Sequence, residues 1–134
     1  MSKTQAVFYR DGQSDEPVDT YIRALPSPHQ ELIDGQIELL NGLDHRDPPL
    51  AFPHSSQVEG PLRELRCHYG PVLYRILYRR SGNLFILLHI INKRSGPVPQ
   101  GDIAKAQDRW TDFEARMNAK PRRPPRAAGH DAPP

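Results

Sequence analysis

The sequence predicts an α+β domain. Two amphipathic helical stretches lie before residue 44, three short strand-like runs fall between residues 62 and 91, and one long apolar stripe follows at helical spacing. The implied order is β-α-α-β-β-β-α. With 134 residues the chain suffices for one domain and is short for two, so a single body over residues 1–118 is expected.

Gln5 to Arg10 reads as a first strand closed by the turn pair Asp11-Gly12. Val18, Tyr21, Ile22 and Leu25 then recur at helical spacing, with Ser14 or Asp15 as the expected N-cap and Pro17 in the first turn, where its missing N–H costs nothing. Pro26 stops that helix. Ser27-Pro28-His29-Gln30 supplies a cap, an N1 proline and a capping-box glutamine for a second helix, whose buried face is Ile33, Ile37 and Leu40. Residues 41–60 are rich in Pro, Asp and His and read as an irregular connection.

Leu62 to Arg66 alternates apolar and charged residues, Val72 to Arg79 is dense in β-branched and aromatic residues, and Leu84 to Ile91 is nearly all apolar and so central in the sheet. Ser81-Gly82-Asn83 joins the last two runs as a hairpin turn. Ile103, Ala106, Trp110, Phe113 and Met117 put one apolar stripe on the final helix. From Ala119 to Pro134 five prolines and no apolar period predict a disordered, Pro- and Arg-rich tail.

The net charge of +2 hides a segregated pattern. Residues 1–59 carry 4 Lys or Arg against 10 Asp or Glu, net −6, while residues 60–101 carry 7 against 1, net +6. A block of one sign is what a face that meets phosphates requires; it is also what an ordinary solvated face can carry. No run approaches the length of a membrane span, and Met1 to Gln5 lacks the apolar core of a signal peptide, so a cytoplasmic protein without membrane attachment is expected. The lone Cys67 fits a reducing compartment and reads as a half-buried strand residue. No nucleotide-binding glycine loop and no pair of His or Cys at ligand spacing occurs, so neither a metal nor a small-molecule cofactor is expected.

Basic residues on strands remain as the candidate chemistry. Alternation puts Leu73, Arg75, Leu77 and Arg79 on one face, leaving Arg75 mid-strand among apolar neighbours. A guanidinium cannot shed its proton there, so it must meet a carboxylate, such as Glu64 or an N-terminal acid, or open onto a cleft that takes an anion. On the next strand the same alternation groups Phe85, Leu87, His89, Ile91 and Lys93, with His89 and Lys93 ~13 Å apart at ~3.3 Å per residue. His89 is either a satisfied core histidine or a group bordering a cleft. Cleavage of RNA by its own 2′-hydroxyl asks the protein for positive charge at the developing phosphorane, and Arg66, Arg75, Lys93 and Arg94 would supply it.

Four runs in fixed order carry a resemblance: Leu62, Glu64, Leu65 and Arg66; Tyr74-Arg75-Ile76-Leu77-Tyr78; Leu87-Leu88-His89 with Asn92-Lys93-Arg94; and Pro99, Asp102, Ile103, Ala106 and Arg109. Over about residues 5–117 the chain is similar to the HigB-like, phage-derived branch of the RelE/ParE toxin superfamily. The resemblance implies a microbial RNase-like fold, two helices backing an antiparallel sheet. It implies the toxin of a type II toxin–antitoxin pair, a ribosome-dependent, metal-free mRNA endoribonuclease that inhibits translation.

The implied partners are the ribosome, mRNA and a cognate antitoxin of helix-turn-helix type. By motif position Arg75 corresponds to the family's mid-strand transition-state arginine, and Lys93 and Arg94 to its basic pair after the last strand. Arg66 matches the arginine of the preceding strand; with Arg63, Arg79 and Arg80 it makes up the expected RNA-binding set. His89 is favoured over Tyr78 as acid or base, because parity puts Tyr78 opposite Arg75. Glu64 stands where RNA-cleaving relatives often carry lysine, and Ser95-Gly96-Pro97-Val98 replaces their further lysines and threonines. The superfamily also holds ParE-type proteins that inhibit DNA gyrase by binding, and inactive nucleic-acid-binding relatives are the remaining alternative.

Overall fold

The apolar periods close around one sheet with helices on both faces. A computed structural model describes residues 3–119 and 124–129. The elements are β1 (Gln5–Phe8), α1 (Pro17–Arg23), α2 (Ser27–Asn41), β2 (Ser55–Glu59), β3 (Leu62–Tyr69), β4 (Val72–Ser81), β5 (Leu84–Asn92) and α3 (Gln100–Met117). The strand order is β1-β5-β4-β3-β2, antiparallel except that β1 runs parallel to β5. This is an α+β architecture consistent with the RelE-like fold.

Two cores follow from strand alternation. On one face Val18 and Ile22 of α1 and Ile33, Ile37 and Leu40 of α2 pack on Leu65, Cys67, Ile76, Tyr78, Phe85 and Leu87. On the other, Ile103, Ala106, Trp110 and Phe113 of α3 pack on Val7, Leu62, Leu77, Ile86 and Leu88. Each fully buried aliphatic side chain contributes roughly 1.5–3 kcal/mol, which the short helices need because neither holds itself together in water. The hairpin turn at Gly82 adopts φ 58°, a left-handed conformation that costs glycine nothing.

The structure departs from the sequence expectation in five places. Residues 55–59, read as part of an irregular connection, form the edge strand β2, so the order is β-α-α-β-β-β-β-α. Its one apolar residue, Val58, gives no period; the strand instead buries the Ser55 hydroxyl against the Tyr78 hydroxyl at 2.7 Å. The sheet is mixed rather than wholly antiparallel, because the chain returns through α1 and α2 before β5 pairs with β1. Glu16 and Pro26 occupy the cap positions expected of Ser14 or Asp15 and of Ser27, with no side-chain cap bond at either; Gln30 instead donates to the Leu25 carbonyl at 2.7 Å.

The fourth departure re-aims a candidate site residue. Leu77 pairs with His89 but Tyr78 pairs with Leu87, so Leu88 is an extra residue in β5. The bulge reverses the alternation: Phe85 and Leu87 face α1 and α2, whereas Leu88 and Ile91 join the α3 core. His89 thereby leaves the face predicted for it with Phe85 and Leu87, and lands on the face that carries Leu77 and Arg75.

The fifth concerns the tail expected to be disordered over residues 119–134. Residues 124–129 lie along the outer edge of β1: Phe8 N–H donates to the Arg126 carbonyl at 3.0 Å and Ala128 N–H to the Ala6 carbonyl at 2.8 Å. Ala128 is 1% exposed, and Arg126 pairs with Glu16 at 3.0 Å and Asp19 at 2.8 Å. A parallel edge strand offers unpaired N–H and C=O groups, and this segment satisfies them. Residues 120–123 and 130–134 lie outside the described residues.

Candidate nucleic-acid interface

On the α3 face of the sheet, α3 packs over β5, β1, the end of β4 and Leu62 of β3, and the turn after β5 reaches Arg75 through the Gly96 carbonyl. Beyond that helix, β2, β3 and β4 present Ser56, Glu64, Arg66 and Arg75, brought together because Ser56 stands opposite Glu64 and Arg66 opposite Arg75 in the ladder. The acidic residues of α1 and α2 lie behind the opposite face.

Glu64 is the hub of the site. Its carboxylate accepts from Arg75 Nε at 2.5 Å and from Arg75 Nη2 at 3.2 Å, a bidentate pair, and from the Ser56 hydroxyl at 2.8 Å. Arg75 Nη1 donates to the Gly96 carbonyl at 2.8 Å. Both charged side chains are 5% exposed. Of the two readings of Arg75, an ion-pair partner and an anion-facing group, the structure realises the first, with Glu64. Three of the five guanidinium N–H groups are used; two are left for another acceptor.

Arg66 differs. Its Nη1 stands 3.7 Å from Glu64 Oε1, beyond hydrogen-bond reach, and its buried Nε has no partner among the described residues. Its guanidinium lies over the Phe52 ring, 5.0 Å from the centroid. Arg66 Nε is thus a buried, uncommitted donor on this face.

The basic pair after β5 reaches the same place through its backbone. Lys93 N–H donates to the Leu73 carbonyl at 3.0 Å, and the side chain of Lys93 runs beside Gly96, the residue that holds Arg75. Arg94 is exposed on the same turn.

His89 is on this face of the sheet but is bound to α3. Arg109 Nη1 lies 3.2 Å from His89 Nδ1 and donates to the Leu88 carbonyl at 2.9 Å; His89 Nε2 lies 2.7 Å from Asp102 Oδ1. Arginine only donates, so Nδ1 is the acceptor and Nε2 carries the proton given to Asp102. Burial pushes the imidazole below its ordinary pKa, against the opposing pull of Asp102, which suits this neutral form. No ring lone pair is free to act as a base in this arrangement.

The four arginines expected on RNA do not form one set. Arg66 and Arg79 project on the α3 face, but Arg79 lies 4.3 Å from the Trp110 centroid, against α3. Arg63 and Arg80 project on the opposite face, where with Leu43, Pro48, Leu50 and Phe85 they line a cavity of about 270 Å³. Arg63 donates to the Leu50 carbonyl and Arg80 to the His45 carbonyl, each at 2.8 Å. Alternation along β3 and β4 separates them: Arg63 and Arg66 are an odd number of residues apart, as are Arg79 and Arg80.

Residues 20–111 match the family model for phage derived protein Gp49-like (DUF891), more than half of the chain. The chain belongs to this Gp49-like, phage-derived family. It is a RelE-like, toxin-type family, and the matched span runs from α1 into α3, taking in Glu64, Arg66, Arg75, His89, Lys93, Arg94, Asp102 and Arg109. No curated protein matches the chain.

In this Gp49-like chain, Phe52, Ser56 and Gly96 belong to the site without any periodic signal in the sequence. Asp102 and Arg109 were legible only as motif positions on the last helix. Among the described residues no group of three His, Cys, Asp or Glu is placed to hold a metal ion, and no helix is long and apolar enough to cross a membrane.

Proposed function

We propose that this chain is the toxin of a type II toxin–antitoxin module, of HigB-like type, and that it acts as a ribosome-dependent mRNA endoribonuclease. The reading is supported most by Arg66 beside the Glu64–Arg75 pair, with Arg75 held by the Gly96 carbonyl next to Lys93, in a family of RelE-like proteins. The reaction is attack of a 2′-hydroxyl on the adjacent phosphate, with departure of the 5′-oxygen, and the protein's part is to stabilise the charge of the phosphorane.

Arg66 brings its guanidinium to that charge, and Arg75, aligned by Glu64, brings its two remaining N–H groups. Lys93 and Arg94 add field from the turn. His89 ties β5 to α3 and positions the strand end from which that turn departs. A cognate antitoxin, in this reading a helix-turn-helix protein, covers the basic face; the ribosome and mRNA are the targets, and the site of action is cytoplasmic.

The commitment of Arg75 to Glu64 favours a second reading, a relative that binds without cleaving, whether to nucleic acid or, in the ParE manner, to DNA gyrase. One experiment separates them. Induction of the chain alone should arrest growth and give cleavage within translated messages by primer extension, both suppressed by the neighbouring gene's product. Growth arrest with intact messages, together with inhibition of purified gyrase at near-stoichiometric protein, would establish the binding reading instead.

A further inference from the structure

We propose that Phe52 is a stacking platform for one unpaired nucleobase, backed by Arg66 and set beside the Glu64–Arg75 pair. The inference rests on the RNA-directed reading above and specifies where a nucleotide next to the scissile phosphate lies. Phe52 is 70% exposed, the most exposed large apolar side chain among the described residues. A single exposed phenylalanine is unremarkable in itself. Its setting gives it meaning.

The Arg66 guanidinium stands over the ring, 5.0 Å from its centroid, and the ring remains largely exposed. The ring stands on a stitched turn: His54 N–H and Ser55 N–H both donate to the Ala51 carbonyl, at 3.0 and 3.2 Å, and the His54 carbonyl accepts from Arg66 N–H at 2.8 Å. Its position is therefore fixed relative to β3.

The cation against it, Arg66, stands 3.7 Å from Glu64, which is paired with Arg75, and His54, two residues along the turn, is exposed. An exposed flat apolar surface with a guanidinium against it suits a ligand that is itself a flat ring joined to an anion. A base stacks on the exposed ring of Phe52 while its phosphate meets the Arg66 guanidinium. Only an unstacked base offers such a face, so the ligand is single-stranded.

The test uses the full chain with a 2′-O-methyl hexanucleotide carrying 2-aminopurine, which the proposed reaction cannot cleave. Binding to the parent should quench the 2-aminopurine emission. Phe52→Ala and Phe52→Leu should both weaken binding ~5- to 150-fold, the loss that one base–aromatic stack carries, and abolish the quench, while Phe52→Tyr keeps both. Thermal unfolding of the variants should match the parent, since the ring is exposed.

Binding by Phe52→Ala within twofold of the parent, or a parent that does not bind the oligonucleotide, overturns the platform. So does a Phe52→Ala protein that keeps the oligonucleotide but loses the antitoxin, which would make the ring a protein contact. Message cleavage in cells is scored separately. Phe52-dependent binding without cleavage refutes the nuclease reading and leaves the platform standing; cleavage unchanged in Phe52→Ala with unchanged binding does the reverse.

Discussion

Replacing Arg75 by alanine strands a buried carboxylate. Glu64 would lose two of its three hydrogen bonds, keeping Ser56 at 2.8 Å, with Arg66 at 3.7 Å as the nearest remaining cation. Breaking a buried ion pair on one side costs roughly 3–5 kcal/mol. Arg66 is close enough to swing toward Glu64, which places the expected loss at the lower end, ~3 kcal/mol. With an unfolding entropy of ~2.1 cal/mol/K per residue, this 134-residue chain should melt about 10 °C lower.

Urea unfolding and calorimetry of Arg75→Ala measure the loss. The paired variant Arg75→Met with Glu64→Gln removes the orphaned charge and should recover about half of it or more. A loss under ~1 kcal/mol for Arg75→Ala would refute the reasoning, because the guanidinium would then not be what keeps Glu64 buried. Toxicity, scored at a temperature where the variant is folded, adds the functional half: non-toxic protein with parental stability assigns Arg75 to chemistry alone, against the geometry described here.

Three further outcomes are expected. Burial holds His89 neutral with its folded pKa below the ordinary imidazole value of about 6.5, so the unfolded chain binds the proton first as pH falls. Its stability contribution is full above pH ~6.5 and declines as pH falls toward the folded pKa; His89→Gln should show less loss of Tm across that window, and an imidazole titration by NMR should give a midpoint under 6.5. Burial pushes the Cys67 thiol up to about 12, and the side chain is 0% exposed, so a thiol reagent at pH 8 should label it only on unfolding. Ending the chain after Asn118 removes the two backbone bonds that residues 126 and 128 share with β1; the Phe8 amide should then exchange at least ~10-fold faster by hydrogen exchange, since each bond contributes ~1 kcal/mol. An unchanged rate would mean that β1 keeps its edge without the segment.

The helices and four of the five strands were legible in the sequence, because each carries an apolar pattern that only one kind of backbone can bury. Ile103 to Met117 is legible as a stripe without knowing what covers it, and Pro17, Pro26 and Pro28 mark helix ends through their own covalent geometry. The problem posed by Arg75 was legible too: a permanent charge in an apolar strand needs a counter-charge. That Glu64 is the residue to supply it, bidentate, was decided by the β3–β4 register, which no local pattern contains.

The rest was tertiary for the same reason. One bulge at Leu88 reversed the parity of β5 and turned His89 toward Asp102 and Arg109. The polar run Ser55–Glu59 became a strand because β3 offered an open ladder, and Pro124–Gly129 settled on β1 because that edge was unpaired. Alternation, harmless to read within one strand, split the basic block between two faces, so that the four arginines expected on RNA do not share one surface. Local chemistry sets which backbone a segment adopts; which side chains meet depends on register and edges, and these exist only once the sheet has formed.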